Sequence, residues 1–269
     1  MLVLPVHPVE FRNPFDRTSQ SLHTVALIPA RFDSTRFPGK PLVEIAGRPM
    51  IEPVYRRAAS APAVDAVVVA TDDRRIADAV EAFGGIARMT ASSHRSGTDR
   101  IAEVARDLTC DLIVNVQGDE PLIEPEMIDR AIAPLDDDPS LLMSTLRAAV
   151  TDPADYSNPN VVKVVVDRRG DALYFSRAPI PFTGPAPAEG IGRPIFRHIG
   201  LYVYRRSFLL DFARLAPTPL ELAESLEQLR ALEHGFRIRT VLTPLESIGV
   251  DTPEDLERVR RFMTAGTRT

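Results

Sequence analysis

The chain has 269 residues, 44% of them hydrophobic, which suits one large domain or two modest ones and excludes a largely disordered chain. No apolar run approaches the ~20 residues of a membrane helix, and the single cysteine, Cys110, excludes a disulfide framework or a cysteine-rich zinc module. A net charge of −5 argues against non-specific nucleic-acid binding and leaves room for a local anion site.

Residues 1–22 mix Pro5, Pro8 and Pro14 with polar residues and show no period, so a flexible N-terminal extension is expected there. They lack the basic start and apolar stretch of a secretory signal, and a cytoplasmic protein is expected. Order begins at Thr24. VALIPA (25–30) has a strand's length and is followed by a polar, Pro- and Gly-marked loop through Pro41. PMIEPVYRRAAS (49–60) reads as helix, DAVVVATD (65–72) as a strand buried on both faces, and RRIADAVEAFGG (74–85) as a helix with a glycine stop. TDRIAEVARDL (98–108) is helix, DLIVNVQGDEP (111–121) a buried strand running into polar residues, and PEMIDRAIAPL (125–135) helix again. Such alternation predicts an α/β fold, a parallel sheet covered by helices, with ligands beyond the carboxyl ends of the strands.

The second half is richer in strands. MSTLRAAV (143–150), VVKVVVD (161–167), ALYFSRA (172–178), FRHIGLYVYRR (196–206) and RIRTVLT (237–243) are strand-like, and FTGPAPAEGIGRP (182–194) is a Pro/Gly loop. SFLLDFARL (207–215), PLELAESLEQLRALEHG (219–235) and PEDLERVRRFM (253–263) read as helices. This half is expected to extend the first sheet.

Several residues fall where chemistry is expected. After the first strand come Arg31, Arg36 and Lys40, with Ser34, Thr35 and Gly39 between them; cations and open backbone N–H groups together suit a polyphosphate. The loop has neither the Walker spacing nor G-x-G-x-x-G, and a solvated basic turn is the plain alternative. Lys40 and Lys163 are the only lysines among 32 basic side chains. Asp119, after a buried strand, stands where a phosphate-bound metal would sit, although many strands end in such turns. At 249–256 the helix cap is already supplied by Thr252, Pro253 and Asp255, which leaves Asp251 for another task or for the helix dipole. Ser96, Gly97 and Thr98 open a helix with Arg100 one turn in, fit either for a nucleotide or for ordinary capping. Arg177, Arg197, His198 and Tyr202 lie on strands. Glu224 and Gln228 are spaced to share one face of the 219–235 helix, with Glu227 beside them.

Taken together, these segments resemble the 3-deoxy-manno-octulosonate cytidylyltransferase (CMP-Kdo synthetase) family. The resemblance rests on PAR-x-x-STR-x-PGKPL (29–42), ATDD-x-RIA-x-AVEAFGG (70–85), H-x-SGTDRIAEV (94–104), VNVQGDEPLI (114–123), NPN-x-VKVV (158–165), ALYFSRAPIP (172–181), RHIGLY (197–202), ESLEQLR (224–230) and GVDTPEDLERV (249–259). It runs in order over residues 24–262. It implies a three-layer, mostly parallel sheet of glycosyltransferase-A-like nucleotidyltransferase type with a strand-rich extension. One domain is implied over 23–269: a CTP-binding half at 23–140, an acceptor-binding and dimerisation half at 141–250, and a C-terminal helix at 251–269. The implied reaction joins CTP to an acidic acceptor, Kdo, and releases pyrophosphate.

Carried over by motif, Lys40, Arg36, Asp119 and Asp251 are implied to be catalytic, with magnesium held by Asp119 and Asp251. Ala30, Arg31, Arg36, Lys40, Thr71, Asp72, Ser96, Gly97, Arg100 and Gln117 are implied to contact the nucleotide. Arg177, His198, Tyr202, Glu227 and Gln228 are implied to line the acceptor pocket. A homodimer joined through 170–210 is implied as well. Departures gather on the acceptor side: FTGPAPAEG carries no base before Arg193, Val203 replaces a common small residue, and Arg147 stands where the family has a small or apolar one. Arg147 is therefore an added candidate for acceptor binding, and a small phosphonate such as phosphonoformate is the alternative acceptor.

Overall fold

The computed structural model describes residues 22–33, 37–183 and 195–266. Nine strands form one sheet that runs through both halves of the chain. Its parallel part is β1 (Thr24–Ala30), flanked by β4 (Ala66–Thr71) and β6 (Leu112–Asn115), with the short β5 (Ala87–Met89) outside β4. All of β4 and β6 is buried, and β1 nearly so, because their β-branched and aliphatic side chains meet apolar layers on both faces. One layer includes Ile28, Ile51, Val54 and Ile128; the other includes Leu27, Val68, Ile101 and Phe175.

The second half adds β7 (Met143–Ala149), β8 (Lys163–Val166), β9 (Ala172–Ser176), β10 (Phe196–Arg205) and β11 (Ile238–Leu242). β10 runs antiparallel between β6 and β7, and β11 closes that edge parallel to β7. β8 and β9 branch off as an antiparallel arm through the start of β10. A separate hairpin, β2 (Glu44–Ile45) with β3 (Arg48–Pro49), packs beneath the last helix.

The helices are α1 (Ile51–Ala59), α2 (Arg74–Ala82), α3 (Gly97–Arg106), α4 (Pro125–Asp137), α5 (Pro153–Ser157), α6 (Arg206–Phe212), α7 (Pro219–Glu224), α8 (Gln228–Glu233) and α9 (Pro253–Gly266). Among the described residues no helix is long and apolar enough to cross a membrane.

The expected elements are present with one substantial correction. The single helix expected over 219–235 is two, α7 and α8, broken where Ser225 adopts a left-handed backbone at φ 53°. The apolar period continues across the break, and neither glycine nor proline marks it. Glu224 and Gln228 therefore do not share a helix face. The short β2, β3, β5 and α5 were also not expected. The extension at 1–22, save Leu22, lies outside the described residues, as do Ser34, Thr35, Arg36, Arg193 and most of the 182–194 loop.

Candidate active site

Two clefts open beyond the carboxyl ends of β1 and β6. The first, of about 300 Å³, lies between the loop after β1, the start of α3 and the turn after β6. Gly39 at φ 70° turns the chain so that Lys40 begins a single 3-10 turn, Lys40–Leu42. The Lys40 ammonium donates to Asp119 Oδ2 at 2.6 Å, to the Val250 carbonyl at 2.8 Å and to Asp251 Oδ1 at 3.3 Å. All three of its donors are thus engaged, and it bonds to two acidic residues 132 positions apart in sequence. Thr252 Oγ1 accepts from the Asp255 amide at 3.2 Å, and Asp255 Oδ2 accepts from the Thr252 amide at 3.0 Å. The helix start is therefore capped without the Asp251 carboxylate.

Ala30, Arg31, Ser96, Gly97, Arg100 and Gln117 all line this first cleft. Ser96 caps α3 by accepting from the Asp99 amide at 3.1 Å. Gln117 Nε2 donates to Asn115 Oδ1 at 3.2 Å. Arg100, only 4% exposed, donates to Asp72 Oδ2 at 3.0 Å and to Thr90 Oγ1 at 2.5 Å. Thr71 and Asp72 were expected to touch the nucleotide, yet neither lines either of these two clefts. Thr71 is buried at the end of β4, where its hydroxyl accepts from the Asp73 amide, and Asp72 reaches the cleft only by orienting Arg100. Arg36 lies outside the described residues.

The second cleft, of about 550 Å³, is lined by Arg177, Arg197, His198, Tyr202, Glu227 and Gln228 among others. A bulge in β10 between Ile199 and Tyr202 re-aims the strand here. Thr145 Oγ1 donates to the Leu201 carbonyl (2.8 Å) or the Ile199 carbonyl (3.1 Å), so His198 Nε2, 2.9 Å away, must donate to it. That assignment leaves His198 Nδ1 as an acceptor. Burial pushes the His198 pKa down to about 3, so the ring is neutral near pH 7. Tyr202 packs against it, and burial raises the phenol's pKa. Glu227 accepts from the Thr98 hydroxyl, and burial raises its pKa too. Glu227 Oε1 and Gln228 Nε2 are buried without hydrogen-bond partners among the described residues, with Glu227 Oε1 3.6 Å from Arg230 Nη2.

Arg177 lines the cleft but spends much of its guanidinium on main chain. It donates to the carbonyls of Glu224 at 2.8 Å and Pro159 at 3.0 Å. Arg147 is not part of this wall. Its guanidinium donates to the carbonyl and hydroxyl of Thr240 and lies 4.9 Å from the Phe196 ring centroid. Its strand register pairs it with His198 on β10 and with Leu242 on β11, so it shares the face of His198, but its guanidinium runs sideways to Thr240 on β11 and does not line the cleft. The expectation that Arg147 faces the acceptor is corrected accordingly.

Sequence reasoning missed His94, Arg95 and Gly118 in the first cleft and Asn160, Val161 and Gly200 in the second. Gly118 had a readable signal: a glycine in the turn that follows a buried strand. A Cβ there would stand 3.0 Å from the Pro29 carbonyl oxygen. The two clefts share Gly97, Gln117, Asp119 and Asp251, so their contents would meet at the two carboxylates.

A family model described as Cytidylyltransferase matches residues 25–240. The 3-deoxy-manno-octulosonate cytidylyltransferase of Geobacter metallireducens is 61% identical over 241 residues, covering 87% of this chain and 95% of the relative. That of Pelobacter propionicus is 58% identical over 251 residues, covering 91% and 98%. A solved structure of CMP:2-keto-3-deoxy-manno-octonic acid synthetase complexed with CTP superposes with a TM-score of 0.85 at 46% identity, covering 91% of this chain and 99% of that one.

Proposed function

The chain belongs to the 3-deoxy-manno-octulosonate cytidylyltransferases of the cytidylyltransferase family, and from that premise we propose that it transfers the cytidylyl group of CTP to Kdo with release of pyrophosphate. The observation that carries this reading is the meeting of two clefts at Asp119 and Asp251. CTP fits the first cleft, where Arg31, Lys40 and Arg100 bring positive charge and Ser96 and Gly97 bring the start of α3. Kdo fits the second, where neutral His198, Tyr202, Glu227 and Gln228 offer hydrogen bonds to hydroxyls, and Arg177 and Arg197 offer charge to its carboxylate.

An acceptor hydroxyl held at the seam attacks the α-phosphorus of CTP as the bond to pyrophosphate breaks. The chain's part in this is positioning and charge neutralisation. Lys40 offsets charge on the attacked phosphate or on the departing pyrophosphate.

Magnesium fits the donor set at the seam: two carboxylates already converge on one cation, the Lys40 ammonium, and magnesium takes one or two carboxylates with phosphate and water oxygens. Asp119 and Asp251 would hold it, and the chemistry supplied there is charge neutralisation at the attacking oxygen and α-phosphate. Use of CTP supports a cytoplasmic enzyme. A homodimer through 170–210 is supported by the edge position of β9 and by Leu173 and Phe182, which are 63% and 90% exposed. A monomer by light scattering at micromolar concentration would remove that part of the reading.

The relatives give no support to a phosphonate acceptor. The deciding experiment measures pyrophosphate release with CTP and magnesium, comparing Kdo with phosphonoformate. Release with Kdo alone is expected. Release with phosphonoformate alone would overturn the acceptor, and release with neither would overturn the activity.

A further inference from the structure

The second of the two lysines, Lys163 on β8, is fully buried. Its ammonium donates to the carbonyls of Asn158 at 2.9 Å, Val161 at 2.6 Å and Arg177 at 2.8 Å. These bonds use every donor it has and cross from the turn before β8 to the residue after β9. Val161 and Arg177 line the second cleft, and the next carbonyl, that of Val162, accepts from the His198 amide at 2.8 Å. Glu224 in turn accepts from Ser176 Oγ at 2.6 Å and from the Arg177 amide at 2.9 Å. A buried cation and a carboxylate thus both hold the end of β9, Lys163 at the Arg177 carbonyl and Glu224 at the Ser176 hydroxyl and the Arg177 amide. In a chain whose other basic residues are almost all arginine, a compact ammonium stands where three carbonyls converge, a geometry that a planar guanidinium does not match.

We propose that Lys163 is a positioning residue for the acceptor: its buried ammonium ties the 158–161 turn to the end of β9 and so fixes the wall against which the sugar acid is held. This rests on the reading of the second cleft as the Kdo pocket. Lys163 touches neither cleft and takes no part in CTP binding.

The test is Lys163→Met, which keeps the length and removes the donors. The KM for Kdo is expected to rise about tenfold or more, the scale of one lost charge-assisted hydrogen bond, while the KM for CTP stays within about twofold. A merely structural role would lower the melting temperature and the active fraction without separating the two KM values. Lys163→Gln and Lys163→Arg return a donor to the same space and are expected to fall between wild type and Lys163→Met in KM for Kdo. A wild-type KM for Kdo in folded Lys163→Met, an equal rise in both KM values, or failure of all three variants to fold would overturn the proposal. Wild-type turnover with Kdo, measured alongside, tests the functional reading separately.

Discussion

The amide of Val250 donates to the carbonyl of Asp119 at 2.8 Å, which joins the turn after β6 to the segment that enters α9. Main chain therefore sets the spacing of the two carboxylates at 119 and 251, and Lys40 only reaches into a place already formed. Replacing one carboxylate should remove charge without moving its neighbours. Asp119→Asn is expected to lower the rate of pyrophosphate release ~10²-fold or more with an unchanged far-ultraviolet circular dichroism spectrum. A rate within about threefold of wild type would take Asp119 out of the mechanism.

The floor of the first cleft depends on close approach of two strand ends. A Cβ on Gly118 would stand 3.0 Å from the Pro29 carbonyl oxygen, and one on Gly97 would stand 3.1 Å from Pro29 Cγ. The Gly118 contact is with backbone, which cannot swing aside as a side chain can. Gly118→Ala is expected to cost ~1–3 kcal/mol of stability, as overpacking does, and to weaken CTP binding. Thermal melting with and without CTP measures both effects. An unchanged melting temperature would show that the ends of β1 and β6 can part freely.

The parallel half of the fold was legible because β1, β4 and β6 are apolar throughout and the helices between them keep a helical period. Position after a strand pointed to Arg31, Lys40 and Asp119, and all three line the first cleft. The break at Ser225 was not legible, because what accompanies it is remote: Glu224 is held by Ser176 and Arg177, nearly fifty residues earlier. The same holds for Arg147. Its neighbours in sequence do not reveal that Thr240, on the adjoining strand, takes its guanidinium.

That placement of Arg147 has a kinetic consequence. Arg147→Leu is expected to leave the KM for Kdo within about twofold of wild type, since the charge does not face the cleft. It should cost ~1–3 kcal/mol of stability, because the Thr240 carbonyl loses its donor in a partly buried setting. Denaturant unfolding and initial rates on the same preparation separate the two effects. A large rise in KM for Kdo with unchanged stability would return Arg147 to the acceptor wall.

His198 makes stability depend on pH in a direction fixed by its burial. Its ordinary pKa is 6.5, and in the folded chain burial pushes it down to about 3. Between these values the unfolded chain binds a proton that the folded chain does not. Stability therefore falls as pH is lowered through that window, by up to ~1.4 kcal/mol per pH unit for one proton. Above pH 6.5 both states are neutral at this site, and the effect vanishes. His198→Gln removes the titration while keeping hydrogen-bonding groups near Thr145. Between pH 7 and pH 5 wild type should lose about 2 kcal/mol more than the variant in denaturant unfolding. Equal losses would mean that His198 takes up its proton in the folded state near the ordinary pKa, and its role as a neutral acceptor in the second cleft would fall with it.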